Sequence, residues 1–338
     1  MRVTFVARHD GGLFFGGAET QAIQTAKWLR RMGVRVEWLT PLSRRVGDLV
    51  HVFGTHQYYD SICRYAGERG IPVVMSPIFF VDVSRLTKRI RYWLYATVGF
   101  RSRRLRKTSA LVRSADLLLP NSFAEARQLR DLLCVQSERM VVVPNGVEPR
   151  FSEAEPDAFR RYSGIKEPFV LCVARLEYRK NQHRLIQALK GTGIRLVLIG
   201  NFGSRDYFDC CRSLADSNVT FLPPIQHEDP LLASAYAACR VFALPSLLET
   251  PGIAALEAAV AGAKVVITRY GGTSEYFGDF AQYVEPRSIA SIRNAILAAW
   301  SIDVDTEAQR QHLLRNYSWE RAAQRTLEAY MQLETLAA

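Results

Sequence analysis

Leu244-Pro245-Ser246-Leu247-Leu248-Glu249-Thr250-Pro251-Gly252-Ile253-Ala254-Ala255-Leu256-Glu257-Ala258 decides how the chain is read. The apolar run ending at Leu244 has the length of a buried strand. Turn chemistry follows it, and an alanine-rich helix is expected from about Pro251. Glu249 lies just before that helix and Glu257 two turns into it. First-turn N–H groups at Gly252 and Ile253 have no intrahelical acceptor, so they suit phosphate or sugar oxygens. Two carboxylates roughly 10 Å apart by helix rise can hold hydroxyls at opposite ends of an elongated polar ligand. The simpler alternative is that Glu249 complements the helix dipole while Glu257 lies on a solvated face.

The same alternation extends to both sides. Downstream of residue 168, strand-like runs stand at 169–173, 194–199, 219–222, 241–244, 264–268 and 281–284. Helical segments fall at 181–190, 204–216, 230–239, 251–261, 273–277 and 288–299, the third opened by Asp229-Pro230 as N-cap and first-turn proline. Upstream, 2–7 reads as a strand, 18–32 as a helix capped by Gly33, and Val34–Leu39 as the next strand. Further runs occur at Leu49–Phe53, Pro72–Met75, Ala115–Leu119 and Met140–Val143. Ser122 and Glu125 have capping-box spacing before a helix to about Leu133.

Pro144-Asn145-Gly146-Val147-Glu148-Pro149 breaks the pattern, and a polar, acidic stretch over 152–168 follows. Strands alternating with crossover helices imply parallel sheets covered on both faces. The expected architecture is α/β, with two Rossmann-like doubly wound domains over 1–150 and 151–317 and a C-terminal helix over 318–338. That helix packs on its own domain or reaches back to the first, with Ala322, Leu327, Tyr330, Met331 and Leu333 as its apolar contacts. Ligands of such domains sit at the carboxyl ends of the strands, and a cleft between the two is the expected reaction chamber.

Two more stretches carry chemistry. Val173-Ala174-Arg175-Leu176-Glu177-Tyr178-Arg179-Lys180-Asn181 follows the first strand of the second half. Arg175 can fork two phosphate oxygens and Lys180 adds a point charge, so the pair can bind a diphosphate and neutralise charge building on it. The alternative is a pair of surface bases bridging to Glu177. In His9-Asp10-Gly11-Gly12-Leu13-Phe14-Phe15-Gly16-Gly17-Ala18-Glu19, paired glycines let the backbone approach a ligand at the start of the first helix. The glycine spacing is not the dinucleotide fingerprint. Thr40 also stands where a ribose-binding acid would be expected, which disfavours an NAD enzyme.

At 338 residues the chain exceeds what one core usually organises. Its 48% hydrophobic and 23% charged composition excludes disordered and collagen-like classes. No apolar run approaches the ~18–20 residues that span a bilayer, and the N-terminus lacks the features of a signal peptide. A cytoplasmic location is expected. Cys63, Cys134, Cys172, Cys210, Cys211 and Cys239 form no Cys-x-x-Cys and read as reduced thiols. Residues 1–150 hold 24 Lys and Arg against 12 Asp and Glu, a balance of +12 that exceeds the net +11 of the whole chain. All the excess positive charge therefore lies in the first half, which points to an anionic partner.

Together these stretches resemble the retaining, GT-B-fold glycosyltransferases of family 4, also known as glycosyl transferases group 1. Gly16-Gly17-Ala18-Glu19 is similar to the family's N-terminal glycine loop, and Asn145-Gly146-Val147 with Phe151 to its segment before the linker. Ala174-Arg175-Leu176 through Lys180-Asn181 resembles Gly-Arg-Leu-x-x-x-Lys-Gly, Glu249 through Glu257 resembles Glu-x7-Glu, and Gly271-Gly272-x-x-Glu275 resembles the segment after it. The resemblance implies a metal-independent enzyme that takes a nucleoside diphosphate-sugar as donor substrate and needs no cofactor. Arg175 and Lys180 would hold the diphosphate, Glu257 the ribose, and Glu249 with the amides of Gly252 and Ile253 the donor sugar. Gly16 and Gly17 would approach the sugar-phosphate from the acceptor-side domain. The acceptor would be a hydroxyl of a glycan or lipid-linked saccharide, not nucleic acid.

The chain departs from that pattern. Ala174 and Asn181 replace glycines, Pro251 stands where an aromatic is frequent, and Ser76-Pro77-Ile78-Phe79 replaces a segment that often carries histidine. His9, His51 and His56 are therefore read as structural or surface residues. Asp303-Val304-Asp305 resembles a metal motif of another transferase fold, but Asp305 reads better as an N-cap and no metal is assigned. The basic stretch from Arg85 to Lys107, interleaved with Tyr92, Trp93, Tyr95 and Phe100, suits a helix on an anionic membrane surface, or else a solvated basic face. The first reading adds a peripheral position at the inner membrane face. The rival functions are a sugar-nucleotide epimerase or phosphorylase on the same scaffold, and a non-catalytic protein that binds anionic ligands.

Overall fold

The computed structural model describes residues 1–8, 16–81, 103–302 and 305–337. His9 to Phe15, most of the basic stretch from Arg85 through Ser102, and Asp303-Val304 lie outside the described residues. Two compact units emerge: Met1–Gly146 with Trp319–Ala338, and Val147–Ser318.

The first unit holds a five-stranded parallel sheet of β1 (Arg2–Val6), β2 (Arg35–Trp38), β3 (Leu49–Phe53), β4 (Val73–Ser76) and β5 (Leu117–Leu118), in the order β2-β1-β3-β4-β5. Every residue of β3 and β4 is buried, as strands covered on both faces must be. Its helices are α1 (Gly17–Arg31), α2 (Asp60–Gly67), α3 (Arg103–Ser114) and α4 (Phe123–Leu133).

Helix α4 starts on Ser122, whose hydroxyl accepts the Glu125 N–H at 3.0 Å. The Glu125 carboxylate does not close the expected box. It is buried and accepts instead from the N–H groups of Phe79 at 2.7 Å and Asn121 at 2.9 Å. Burial outweighs those two bonds and pushes its pKa up to about 7.

Met140–Val143 forms no strand. Met140 makes a single bridge to Leu118, and Val141 and Val143 donate to Leu118 and Pro120. A two-residue β5 offers too short an edge for a longer ladder.

The second unit holds six parallel strands: β6 (Phe169–Val173), β7 (Arg195–Ile199), β8 (Val219–Leu222), β9 (Val241–Leu244), β10 (Lys264–Thr268) and β11 (Ala281–Val284), in the order β11-β10-β9-β6-β7-β8. Between them run α5 (Asp157–Ser163), α6 (Gln182–Leu189), α7 (Arg205–Leu214), α8 (Pro230–Ala238), α9 (Ile253–Val260), α10 (Thr273–Phe277), α11 (Ile289–Ser301) and α12 (Thr306–Asn316). The chain builds outward from β6 to β8, then returns to place β9 on the other side of β6. That reversal makes the carboxyl ends of β6 and β9 a topological switch point, where doubly wound sheets leave a crevice. The polar 152–168 stretch is more ordered than its composition suggests, because Phe151 and Phe159 are buried and anchor it. Asp305 caps α12, accepting from the N–H groups of Glu307 and Ala308.

The last helix, α13 (Trp319–Ala337), joins the first unit. Trp319, Ala322, Ala329 and Tyr330 are buried, whereas Met331, expected among its apolar contacts, is exposed. Tyr330 sets its hydroxyl 2.5 Å from Nδ1 of His51 in the middle of β3, and His51 Nε2 lies 3.0 Å from the Ser76 hydroxyl. No helix of the described residues is long and apolar enough to cross a membrane.

Candidate functional site

Arg175 and Lys180 lie in the loop after β6, and Glu249, Gly252 and Ile253 in the loop and first helical residue after β9. Six of the eight residues expected to act on a ligand therefore belong to the two segments that leave the switch point, counting Glu257 on α9. Gly16 and Gly17 belong to the first unit, where they open α1. Gly16 is its N-cap in an extended conformation that any residue adopts, and its carbonyl accepts the N–H and hydroxyl of Thr20.

The two loops are stitched together. The N–H of Leu247 donates to the Arg179 carbonyl at 2.7 Å. Asn181 is fully buried in a left-handed conformation at φ 67°, which asparagine tolerates better than other non-glycine residues. Its side-chain amide donates to the carbonyls of Pro245 and Pro286 at 2.8 and 2.7 Å. The residue standing in for a glycine thus keeps the glycine-like backbone and ties together the loops after β6, β9 and β11. Gln182 donates to the Arg175 carbonyl at 2.9 Å and accepts from the buried Tyr207 hydroxyl. Gly203 lets the Arg175 side chain lie close, since a Cβ there would stand 3.0 Å from its Cδ.

Lys180 and Glu249 form a close ion pair between the two loops, with Nζ 2.5 Å from Oε1. Arg179 Nη1 stands 4.0 Å from the same oxygen. Burial alone would raise the Glu249 pKa, but Lys180 and Arg179 outweigh it and hold the carboxyl below its usual range. Glu249 is thus an ionised, buried group and not merely a complement to the helix dipole. Its backbone is fixed by Gly271 and Gly272: Glu249 N–H donates to Tyr270, and Gly272 N–H donates to Glu249. Gly271 has φ 117°, and a Cβ there would fall 1.6 Å from the Glu249 carbonyl oxygen. Only glycine permits that approach. Arg175 lies 3.9 Å from Glu177, which also holds Arg179 at 3.1 Å, so the bridging alternative describes part of what the bases do.

Helix α9 begins at Ile253, two residues later than expected. Gly252 turns through φ 73° as its N-cap without a side-chain cap. The start is delayed because Gly252 takes the left-handed region, which an α-helical residue cannot. Glu257 is buried, not solvated. One oxygen lies 2.7 Å from His227 Nε2, and the other accepts from Tyr236 at 3.0 Å. Burial disfavours a charged His227, as does nearby Arg150, but the Glu257 and Glu228 carboxylates outweigh both and raise its pKa. No motif marks His227, Tyr236, Gln182 or Tyr207. Their relevance is visible only in their contacts. Among the described residues no cluster of three or more His, Cys, Asp or Glu could hold a metal ion.

Known proteins share this fold and sequence pattern. The family model described as "Glycosyl transferases group 1" matches residues 156–316, and that described as "Glycosyl transferase 4-like domain" matches 42–146. A D-inositol 3-phosphate glycosyltransferase from Kribbella flavida is 31% identical over 262 residues, covering 70% of this chain and 61% of that protein. An uncharacterized glycosyltransferase from Methanocaldococcus jannaschii is 29% identical over 228 residues, covering 61% of this chain and 58% of that protein. The matched region spans less than two thirds of the length of these relatives. Sucrose-phosphate synthase from Thermosynechococcus elongatus has the same fold, with a TM-score of 0.80 at 18% identity over 99% of both chains. Anabaena HepE, solved in complex with UDP-glucose, superposes with a TM-score of 0.70 at 21% identity over 100% of this chain and 99% of that one. By fold and by family, the chain belongs with the GT-B glycosyltransferases related to family 4 and the glycosyl transferases group 1.

Proposed function

We propose that this protein transfers a sugar from a nucleoside diphosphate donor to a hydroxyl of a glycan or lipid-linked saccharide, with retention of anomeric configuration. The observation that carries this reading is the buried Glu249 carboxylate, kept ionised by Lys180 and Arg179 where the β6 and β9 loops meet. Arg175 and Lys180 grip the diphosphate and stabilise the charge it gathers as the glycosyl bond breaks, without recourse to a metal. Lys180 then serves two anions, the leaving phosphate and Glu249. Glu249, an acceptor only, takes hydrogen bonds from donor-sugar hydroxyls, with the N–H groups of Gly252 and Ile253 facing sugar or phosphate oxygens. Glu257 receives the ribose, and Gly16 and Gly17 approach the sugar-phosphate. Similarity to a D-inositol 3-phosphate glycosyltransferase and to HepE, solved with UDP-glucose, supports the same donor class.

A calorimetric panel of nucleoside diphosphates and their sugar conjugates tests this reading. Selective binding of one base, followed by NMR of the product linkage, is the expected result. Absence of binding by any nucleoside diphosphate would sink it. The basic 85–107 stretch supports peripheral attachment to anionic membranes, tested by co-sedimentation with phosphatidylglycerol vesicles at low and high salt.

A further inference from the structure

Glu257 does not stand alone on α9. His227, on the loop after β8, meets its Oε1 at 2.7 Å, and the fully buried Tyr236 on α8 donates to its Oε2 at 3.0 Å. These partners have little freedom of their own. Arg150 donates from Nη2 to the His227 carbonyl at 2.6 Å, and the imidazole packs edge-on against Phe151 with ring centres 5.9 Å apart. Arg150 is itself held by Glu148 at 3.0 Å.

The second imidazole nitrogen faces opposite charges, with Nδ1 3.4 Å from Arg150 Nη2 and 3.3 Å from Glu228 Oε1. Neutral, it accepts from Arg150; charged, it donates to Glu228. In both states Nε2 carries the hydrogen given to Glu257. A carboxylate offers about four lone-pair sites, so roughly two stay open.

We propose that His227 and Tyr236 are positioning residues that hold the Glu257 carboxylate in one orientation, so that its open lone pairs accept the ribose hydroxyls of the donor nucleotide. This rests on the proposed role of Glu257 at the ribose. A carboxylate fixed before binding needs no ordering when the nucleotide arrives, and the benefit goes only to ligands that carry both hydroxyls.

The test is calorimetric titration with UDP, GDP and ADP and their 2′-deoxy counterparts. Wild-type protein should bind one ribonucleoside diphosphate about tenfold more tightly than its deoxy form, the size of a hydrogen bond to a charged acceptor. His227→Leu should shrink that ratio to about twofold, and His227→Gln, whose Nε2 can donate to the same oxygen, should restore it. Tyr236→Phe keeps the ring and reads the same ratio through the other oxygen, should the leucine variant not fold. Folded His227→Leu and Tyr236→Phe proteins that keep the full ratio would overturn the inference and leave the donor assignment standing. A wild type that binds a nucleoside diphosphate without regard to the 2′-hydroxyl would overturn the inference through the role of Glu257. One that binds none would overturn the proposed function itself.

Discussion

Two histidines, His51 buried in the first unit and His227 largely buried in the second, are driven in opposite directions. His51 sits in the middle of β3 between two hydroxyls, Tyr330 and Ser76. Burial there meets no opposing charge, and its pKa falls to about 3. His227 is also largely buried, but the Glu257 carboxylate lies 2.7 Å away and its pKa rises. Burial lowers a histidine only where nothing nearby gains from its charge. The contrast extends to the surroundings. The strand ends of the second unit carry ionised groups paired with one another, whereas the first unit is tied together at His51 by a neutral chain of hydroxyls and imidazole.

The strongest way to break this contrast is to unpair the charged edge. Lys180→Ala and Arg175→Ala should each slow sugar transfer by about 10²-fold or more, measured as kcat/KM with the preferred donor. Lys180→Ala should also destabilise the protein by about 3 kcal/mol, because it leaves Glu249 charged and buried. Arg175→Ala should not, since that side chain is about one third exposed.

The neutral chain responds to acid instead. His51 binds its proton far more weakly folded than unfolded, so its contribution is complete above about pH 6.5 and is lost as the pH falls toward about 3. The slope approaches ~1.4 kcal/mol per pH unit in urea titrations, and His51→Asn should flatten it. His227 has the opposite sign: its contribution is present below about 6.5 and lost as the pH rises through its raised pKa.

A smaller lesion sharpens the comparison. Tyr330→Phe should cost about 1–3 kcal/mol by leaving His51 Nδ1 without a partner, read as a lower urea midpoint. Smallest in energy, Glu257→Gln removes the charge that sustains His227, so burial should prevail and its pKa drop below 6.5 in an NMR titration. A histidine that still titrates above 6.5 in that variant would show that Glu228, not Glu257, sets its charge.

Much of this was legible in the chain. Strand and helix periods placed nearly every element, and the basic and Glu-x7-Glu stretches lie in the segments that leave β6 and β9. The exceptions have physical causes. Met140–Val143 has the composition of a strand but only a two-residue neighbour to pair with. Glu125 has the spacing of a capping box, yet its carboxylate is taken by the backbone of Phe79, 46 residues away. Glu257 has the spacing of a solvated helix face, yet lies under His227 and Tyr236.

Local periodicity is written residue by residue, because each strand or helix answers to the faces its own side chains must bury. The sequence by itself therefore determined the two runs of alternating elements, their turns, and the segments bearing cations and carboxylates. Which side chains meet depends on strand order, and strand order is set by the packing of elements far apart in the chain. Only the tertiary structure placed β9 beside β6, brought Lys180 to Glu249 across 69 residues, and joined Tyr330 to His51 across 279. Those meetings decide which groups are charged.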